Sequence, residues 1–347
     1  MCACGAPIAE RIGKGRPAQF CSERCRVAAH RAKHANNVTD ASAQDVTKIK
    51  PVSAKRSGGV VTRAPFAYYG GKSYLVPTLL QVLPKHEVYC EVFGGSGVLL
   101  FNKKSARLEV FNDLHSGIVN LFRVLRAPES AGELQPPLQL TPYSREEWRE
   151  CLETWQDEPD PIEKARRWFV VVQQSFSGHD RWAGWRFARK VGRNPAVSYR
   201  GAVELLTTFT ERLAHVEIEH ADFGQVLAAY DGPGTLFFCD PPYLPETRVK
   251  GKYQHEMSVD DHIRLLDQLQ TLQGKVVLSG YDAPLYQRML KGWAHLEQSI
   301  SCHAVGRTRK AGLQGDGAIY AKEQTRIESI WLSPNIARQS TLWQEVV

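Results

Sequence analysis

A short apolar run that ends abruptly in a carboxylate and two prolines restricts the fold most. Thr235–Cys239 has the sequence TLFFC, and Asp240-Pro241-Pro242-Tyr243 follows at once. A run of this length and composition predicts a buried β-strand. Open α/β sheets bind ligands at the carboxyl ends of their strands, which is where Asp240 lies. The alternative interpretation is an ordinary turn that terminates the strand.

From Pro65 onward, predicted strands alternate with predicted helices. The further strands are Val88–Phe93, Arg107–Phe111, Val216–Glu219, Lys275–Ser279, His295–Ser301 and Arg326–Leu332. The helices are Val98–Lys103, Ile118–Leu125, Val203–His215, Phe223–Tyr230, Val259–Leu272 and Pro284–Leu290. Such alternation predicts an α/β fold of right-handed βαβ units, with a Rossmann-like, doubly wound sheet.

Composition divides the chain into four parts. Residues 1–35 contain four clustered cysteines and predict a small metal-binding module, and the polar residues 36–63 predict a flexible linker. Residues 64–126 and 203–347 carry the alternating pattern of the α/β body. Residues 127–202, rich in Trp, Arg and Pro, interrupt that pattern and predict a separate small inserted subdomain.

Charge is concentrated at the N-terminal end. Residues 1–63 carry 12 Lys and Arg against 4 Asp and Glu, or +8, whereas the whole chain carries +7, so the remainder sums to −1. A basic arm on a near-neutral body predicts an anionic partner, most simply nucleic acid, with a solubilising tail as the alternative.

Hydropathy and cysteine placement indicate the cellular setting. No run of about 18 apolar residues occurs, so no membrane span is expected. Cys90 and Cys239 lie inside predicted strands, and Cys151 and Cys302 are scattered. This pattern is typical of reduced cysteines in a cytoplasmic protein.

The segment Asp240–Tyr243 suits a planar exocyclic amine, whose lone pair is delocalised into a ring. Asp240 can accept one amine hydrogen and the Pro241 carbonyl the other, because proline offers only an acceptor. Tyr243 can stack on the face of a base. Together these groups predict a pocket for a nucleobase.

Four further segments could complete a nucleotide site. Glu91–Gly97 joins a strand to a predicted helix through a glycine-rich turn, where the backbone can approach a ligand closely, although a plain turn is also possible. Asp113 ends the next strand, where a carboxylate can hold ribose hydroxyls or cap a helix. Asp222 can accept a bond from an adenine amine, and Tyr68–Lys72 could line a pocket or pack as a loop.

These segments, in this order, resemble the Dam-type (D12 class) N6-adenine-specific DNA methyltransferases. Ser279–Asp282 resembles the segment after the family's next strand, and Ser144–Trp148 resembles part of its recognition subdomain. The resemblance covers residues 65–334 and implies a methyltransferase of the bacterial or phage-infected host cytoplasm. It implies S-adenosylmethionine as methyl donor and double-stranded DNA as substrate, with the target adenine flipped out of the duplex.

The resemblance also implies a role for each matching residue. Cofactor-binding residues would be Tyr69, Lys72, Glu91, Phe93, Gly95, Gly97, Asp113 and Asp222, with Glu91 below the pocket floor, Asp113 on the ribose and Asp222 on the adenine amine. The residues that hold the target base would be Asp240, Pro241 and Tyr243. Glu91 stands where the family often has Asp.

The inserted region has side chains suited to DNA. Arg181, Trp182, Arg186, Arg189 and Lys190 follow one another closely, so we expect them to contact phosphates or base edges and to stack on bases. The alternative is a surface hairpin whose tryptophans fill a small core.

The N-terminal cysteines form two close pairs. Cys2, Cys4, Cys21 and Cys25 predict a tetrahedral zinc site in a module too small to fold on an apolar core alone. His30 or His34 could replace a cysteine, and a module without metal is the alternative. Its basic helix, residues 24–33, could contact DNA or a protein partner.

Rival functions stay open on the sequence alone. One is methyl transfer to cytosine N4, to RNA adenine or to a protein amide, and Asp rather than Ser or Asn at position 240 argues against the cytosine and protein versions. The other is a DNA-binding regulator without catalysis. The joint presence of Gly95, Asp113, Asp240 and Tyr243 argues against it, because binding alone does not need them all.

Overall fold

The computed structural model describes residues 46–48, 64–68, 70–181, 184–188, 192, 194–244, 254–302 and 324–337. The chain divides into two units, residues 1–45 and 46–347, and every described residue belongs to the second. The predicted zinc module, with Cys2, Cys4, Cys21 and Cys25, therefore lies outside the described residues. The same holds for most of the predicted linker.

One mixed sheet of eight strands organises the second unit. Its strands are β1 Val46–Lys48, β2 Val88–Glu91, β3 Leu108–Asn112, β4 Val216–Glu219, β5 Thr235–Cys239, β6 Lys275–Gly280, β7 Ala294–Cys302 and β8 Gln324–Leu332. The strand order is β1-β7-β8-β6-β5-β2-β3-β4. Strands β4, β3, β2, β5 and β6 are parallel, and β8 runs antiparallel to both β6 and β7.

The strand order reverses beside β2. From β2 the chain proceeds through β3 to β4 at one edge, then returns on the other side of β2 as β5. Tyr89 of β2 lies opposite Leu236 of β5, so the two strands end side by side. Their carboxyl ends form the crevice at which open α/β sheets bind ligands. The predicted doubly wound α/β sheet is confirmed.

Eleven α-helices and one short 3-10 helix, Phe176–Gly178, occur among the described residues. The α-helices are α1 Val76–Val82, α2 Ser116–Arg126, α3 Pro128–Leu140, α4 Arg145–Thr154, α5 Pro161–Gln174, α6 Pro195–Leu205, α7 Thr207–Leu213, α8 Phe223–Tyr230, α9 Val259–Thr271, α10 Pro284–Met289 and α11 Pro334–Ala337. No helix in this part of the chain is both long and apolar enough to cross a lipid bilayer.

Apolar side chains cover both faces of the sheet. On β5, Leu236 and Phe238 belong to one buried cluster, while Phe237 and Cys239 belong to another. Successive strand residues point to opposite faces, so each cluster lies on its own face. Helices on both faces explain why β5 is apolar at nearly every position.

The region 127–202 differs from the expected separate subdomain. Its helices α3, α5 and α6 contribute Leu138, Phe169 and Tyr199 to the same cluster that contains Leu236, and Trp155, directly after α4, belongs to it as well. Helix α5 packs against α2, which follows β3 directly. The described part of the region therefore shares the core of the sheet, because its tryptophans and phenylalanines bury themselves against the adjacent helix layer.

Three local predictions differ from the structure. Residues 98–103, predicted as a helix, form hydrogen-bonded turns, and the Asn102 side chain bonds the Val98 carbonyl at 2.6 Å in competition with helix geometry. The predicted helix 203–215 is split, because α6 ends at Leu205 and α7 begins at Thr207. Inside the predicted linker, β1 pairs with β7.

Candidate active site

One cavity lies at the carboxyl ends of β2 and β5. It brings together residues from six segments that are far apart in sequence. The lining includes Tyr68, Lys72, Glu91, Phe93, Gly95, Asp113, His115, Asp222, Asp240, Pro242, Met257 and Arg264. Six of the predicted cofactor-binding residues are among them. Gly97 supports the turn behind the lining, and Tyr69 lies outside the described residues.

The glycine turn after β2 is shaped by close packing. A Cβ at Gly94 would overlap the Phe111 ring. Gly95 has φ +53° and Gly97 has φ +65°, in the left-handed region that favours glycine. A Cβ at Gly95 would lie 3.3 Å from Cδ1 of Tyr68. The backbone can therefore border the cavity directly.

Asp113 is fixed at the end of β3 by two backbone groups. Its Oδ2 accepts a hydrogen bond from Gly95 N at 2.7 Å, and its Oδ1 accepts one from His115 N at 2.7 Å. Each carboxylate oxygen has a second lone pair, so both can still accept from a ligand. This contact joins the turns that follow β2 and β3.

His115 links this site to the inserted region. Its Nδ1 accepts from Gly117 N at 3.1 Å at the start of α2, so Nε2 carries the proton. That nitrogen donates to Asp180 Oδ2 at 2.5 Å, and Trp168 Nε1 donates to the same oxygen at 3.1 Å. Burial raises the pKa of Asp180, but the bonds from His115 and Trp168 outweigh it and leave that pKa below its usual value.

Glu91 lies at the cavity wall with its side chain buried. It is 1 % exposed, and its Oε2 accepts from the Tyr89 hydroxyl at 2.9 Å and from Leu100 N at 3.0 Å. Burial disfavours the charged form and raises the pKa of Glu91 to about 8, although both hydrogen bonds act in the opposite direction. Near neutral pH, this carboxyl is mostly protonated.

Asp240 forms an ion pair inside the cavity. Lys72 Nζ lies 3.0 Å from its Oδ1, and both side chains are largely buried. The same ammonium lies 4.5 Å from the centroid of the Tyr243 ring. Pro242 lines the cavity, whereas Pro241 is buried and Tyr243 lies outside the lining.

Asp222 begins α8 and is engaged by a second cation. Arg264 of α9 donates to its Oδ1 at 2.6 Å and to its Oδ2 at 2.8 Å. These bonds lower the pKa of Asp222. The guanidinium carbon lies 4.0 Å from the centroid of the Phe223 ring, which packs against Phe93. Arg264 thereby covers the end of the cavity predicted to hold adenine.

Sequence comparison agrees with this arrangement. The sequence model of the D12 class N6 adenine-specific DNA methyltransferases matches residues 68–305. The chain belongs to this family.

Individual D12-class and modification enzymes are distant relatives. The DNA adenine methylase of Escherichia coli K12 is 23% identical over 264 residues, covering 72% of this chain and 92% of that protein. The DNA N-6-adenine-methyltransferase of Escherichia phage P1 is 23% identical over 247 residues, 68% of this chain but only 31% of its own length. The modification methylase LlaI of Lactococcus lactis is 23% identical over 191 residues.

An aromatic cluster stands out in the inserted region of this D12-class chain. Arg145 lies 5.1 Å from the Trp185 ring and 5.4 Å from the Phe187 ring, which stack on each other. Phe176 is 59% exposed and Phe187 is 46% exposed. We call Arg145, Trp185 and Phe187 the aromatic cluster. The alternation of arginine and aromatic residues in the sequence indicated these rings, but no local pattern indicated their contact with Arg145.

The predicted DNA-binding residues are only partly described. Arg181 is exposed, and the backbone of Arg186 pairs with Gln174 O at 2.7 Å and with the Tyr143 hydroxyl at 2.5 Å. Trp182, Arg189 and Lys190 lie outside the described residues. These backbone bonds place Arg186 next to the aromatic cluster.

Metal-binding side chains do not group together in the described ranges. No set of three or more His, Cys, Asp or Glu residues there could hold a metal ion. Cys90, Cys151 and Cys239 are free and buried within the core. The four cysteines predicted as zinc ligands lie outside these ranges.

Proposed function

We propose that this chain transfers a methyl group from S-adenosylmethionine to the exocyclic N6 of adenine in DNA. One observation carries the proposal. Asp240, held by Lys72 at the end of β5, faces the same cavity as the Gly95–Asp113 contact at the end of β2. An acceptor for an amine and a nucleoside-binding turn then lie within reach of each other, and the family's chemistry requires both.

The charge of the cavity supports a cationic cofactor. Its carboxylates outnumber its permanent cations even without the protonated Glu91, since it is lined by Asp113, Asp222, Asp240, Glu256 and Asp261 against Lys72 and Arg264. A cavity with excess negative charge attracts a cation. S-adenosylmethionine, when bound, supplies a methyl group on a positively charged sulfur. The close-packed glycine backbone at Gly95 also leaves room that a side chain would fill.

We assign the nucleoside part of the cofactor to the residues after β2, β3 and β4. Asp113 accepts from the ribose hydroxyls through the lone pairs that its two backbone bonds leave open. Asp222 accepts from the adenine amine, with its carboxylate held in place by Arg264. Phe93 packs on the adenine ring, Gly97 shapes the turn, and Tyr69 lines the pocket with Lys72.

We assign the target base to the residues after β5. Asp240 accepts a hydrogen bond from the adenine amine, and the Pro241 carbonyl accepts the second. Acceptors at these positions stabilise the positive charge that develops on nitrogen as it attacks. Alignment of amine, methyl and sulfur supplies a further part of the rate. Tyr243 stacks on the base, which reaches the cavity only when flipped out of the duplex.

DNA contacts are proposed for the region 127–202. Arg181, Arg186, Arg189 and Lys190 contact phosphates or base edges, and Trp182 joins the aromatic cluster in stacking on or wedging between bases. The exposed rings of Phe176 and Phe187 support this role. Residues 1–35 are proposed to bind zinc and, through basic side chains, DNA or a protein partner, with residues 36–63 as linker.

The reaction is tested by product analysis. The purified full-length protein is incubated with labelled S-adenosylmethionine and unmethylated genomic DNA, and the digested nucleosides are identified. N6-methyladenine from the wild type, and its loss in Asp240→Asn, support the proposal. Asp231→Asn is a matched control, since Asp231 bonds only the backbone of residues 273 and 274, away from the cavity. Labelled N4-methylcytosine, or no label in DNA, would overturn it.

A further inference from the structure

A buried carboxylate on the last strand accepts hydrogen bonds from residues that neighbour the Lys72–Asp240 ion pair. Glu328 lies on β8 and is 4% exposed. A buried carboxylate costs free energy unless hydrogen bonds compensate for the loss of water. Glu328 lies outside the family's matched residues 68–305, and its local sequence predicts only a place in the late strand Arg326–Leu332.

Two tyrosines from separate segments of the chain donate hydrogen bonds to this carboxylate. The Tyr74 hydroxyl donates to Oε1 at 3.1 Å, and the Tyr243 hydroxyl donates to Oε2 at 2.6 Å. Tyr74 lies two residues after Lys72, and Tyr243 lies three residues after Asp240. Glu328 therefore joins the two segments that provide the Lys72–Asp240 ion pair.

Tyr243 carries the effect of this carboxylate into the cavity. Its hydroxyl also lies 3.3 Å from Ser279 Oγ, and its ring meets the Tyr281 ring edge-on at 4.5 Å. The Lys72 ammonium rests over the same ring, 4.5 Å from its centroid, and contacts Asp240 at 3.0 Å. Because the Tyr243 ring is fixed at its hydroxyl, it holds the Lys72 ammonium in place by a cation–π contact. The ammonium in turn holds the Asp240 carboxylate.

We infer that Glu328 is a positioning residue for methyl transfer: it orients Tyr243 and, through Lys72, the Asp240 carboxylate. This inference rests on the proposed function of Asp240. A residue that acts in this way affects the alignment of the acceptor amine, which matters in the transition state, and leaves cofactor binding almost unchanged.

The test compares Glu328→Gln with a buried carboxylate elsewhere in the sheet. Glu109 on β3 is 2% exposed and binds Lys103 and Arg212, away from the cavity lining. The full-length variants Glu328→Gln and Glu109→Gln are assayed with labelled S-adenosylmethionine and unmethylated genomic DNA, and their Tm values are measured. Glu328→Gln is expected to lower kcat about tenfold with KM for the cofactor within about twofold, whereas Glu109→Gln lowers Tm and spares kcat.

A double-mutant cycle tests whether Glu328 acts through its hydrogen bond with Tyr243. Tyr243→Phe removes the same hydrogen bond, so the variant with both changes should be no slower than the slower single variant. Additive losses, a normal kcat in Glu328→Gln, or equal kcat losses in Glu109→Gln would overturn the positioning role. Failure of the wild type to methylate adenine would instead overturn the proposed function, and this inference with it.

Discussion

Glu91 places an ionisable group at the wall of a cavity that we assign to a cationic cofactor. Burial raises the pKa of its carboxyl to about 8. Tyr89 and Leu100 donate hydrogen bonds to one of its oxygens and hold it in place. The neutral form fits the wall without a counter-ion, while the charged form would favour a bound cation. Its position therefore couples protonation to both folding and ligand binding.

The first prediction concerns stability against pH. The folded-state pKa of Glu91 lies above its ordinary value of 4.5, so the stabilising contribution is complete below that value and is lost as pH rises through about 8. Glu91→Gln does not titrate. We expect the wild type to lose up to a few kcal/mol relative to this variant between pH 5 and pH 9, at about 1.4 kcal/mol per pKa unit. Tm measured at intervals across this range checks it, and parallel curves would contradict it.

The second prediction separates backbone strain from contact at the glycine turn. Gly95→Ala places a side chain at φ +53° and within 3.3 Å of Tyr68, at the edge of the cavity. Gly292→Ala is the matched control, because Gly292 has φ +86° and open space around its added Cβ. Both should lose about 1–2 kcal/mol of stability from the left-handed backbone, measured by denaturant unfolding. Only Gly95→Ala should raise the Kd for S-adenosylmethionine, and equal Kd values would contradict this.

Residues at strand ends were predictable, and their partners from other segments were not. Turns that the sequence marks with glycine or proline lie near Lys72, Glu91, Asp113 and Asp240. Arg264 lies on a helix, Glu328 on a late strand and Asp180 in the inserted region, where no local pattern distinguishes them. Arg264 lines the cavity, and Glu328 and Asp180 bond residues beside it, because the fold brings distant segments together, which a local pattern does not specify.

Helix α2 is the element through which the inserted region meets the cavity. Its first turn is capped by His115, which is buried and stacks on Trp155. The partner of His115, Asp180, comes from the inserted region. The cap therefore connects the Asp113 carboxylate, which accepts from His115 N, to a segment proposed to contact DNA.

The third prediction tests this cap. Asp180→Asn keeps the shape but weakens a charge-assisted bond to His115, so we expect a loss of about 1–3 kcal/mol and weaker cofactor binding. Asp160→Asn is the control, since Asp160 caps α5 on the surface through a 2.9 Å bond to Glu163 N. The control should lose stability without losing cofactor affinity, as measured by calorimetric titration.

The lowered pKa of Asp180 also predicts how the effect of Asp180→Asn on stability changes at acid pH. The folded-state pKa of Asp180 is lowered, so its stabilising contribution is present above the ordinary value of 3.8 and is lost as pH falls further. The Tm difference between wild type and Asp180→Asn should therefore shrink at acid pH. A constant difference down to pH 2 would contradict the assignment.

Strongly patterned elements were predicted well and weakly patterned ones were not. The bounds of β4, α8 and β5 agree with the structure, because turn residues punctuate these short apolar runs on both sides. The segment 98–103 is apolar enough for a helix, but its Val98, Leu99 and Leu100 are buried behind a turn with Gly97 at φ +65°. Tertiary packing, which a local pattern does not contain, decided its conformation.

At the scale of the whole molecule, the chain joins a basic N-terminal arm to a near-neutral body. Residues 1–63 carry +8, and the described unit begins at residue 46 with a strand that pairs with β7. The sequence predicted the arm from its charge. It did not predict β1, because three residues between polar neighbours carry almost no strand signal.

The fourth prediction uses two truncations that differ by β1. Proteins that begin at residue 46 or at residue 64 should both methylate DNA at low salt. Both should bind DNA more weakly than the full chain, with a flatter dependence of log Kd on log salt, because fewer counterions are released. Binding titrations from 50 to 200 mM salt measure this. Inactivity of only the shorter protein would assign β1 a structural role, and inactivity of both would contradict the prediction.

Because β8 lies between β6 and β7, the contacts of Glu328 form late in the synthesis and folding of the chain. Glu328 reaches the proposed site only after a strand from residues 324–332 has inserted between two strands made earlier. Such a non-local pairing forms late and slowly. A chain still attached to the ribosome, with β8 inside the exit tunnel, would bear most of the cofactor cavity but lack the residue that orients Tyr243. Until residues 324–332 have paired with β6 and β7, such a polypeptide would be expected to methylate DNA more slowly than the folded chain.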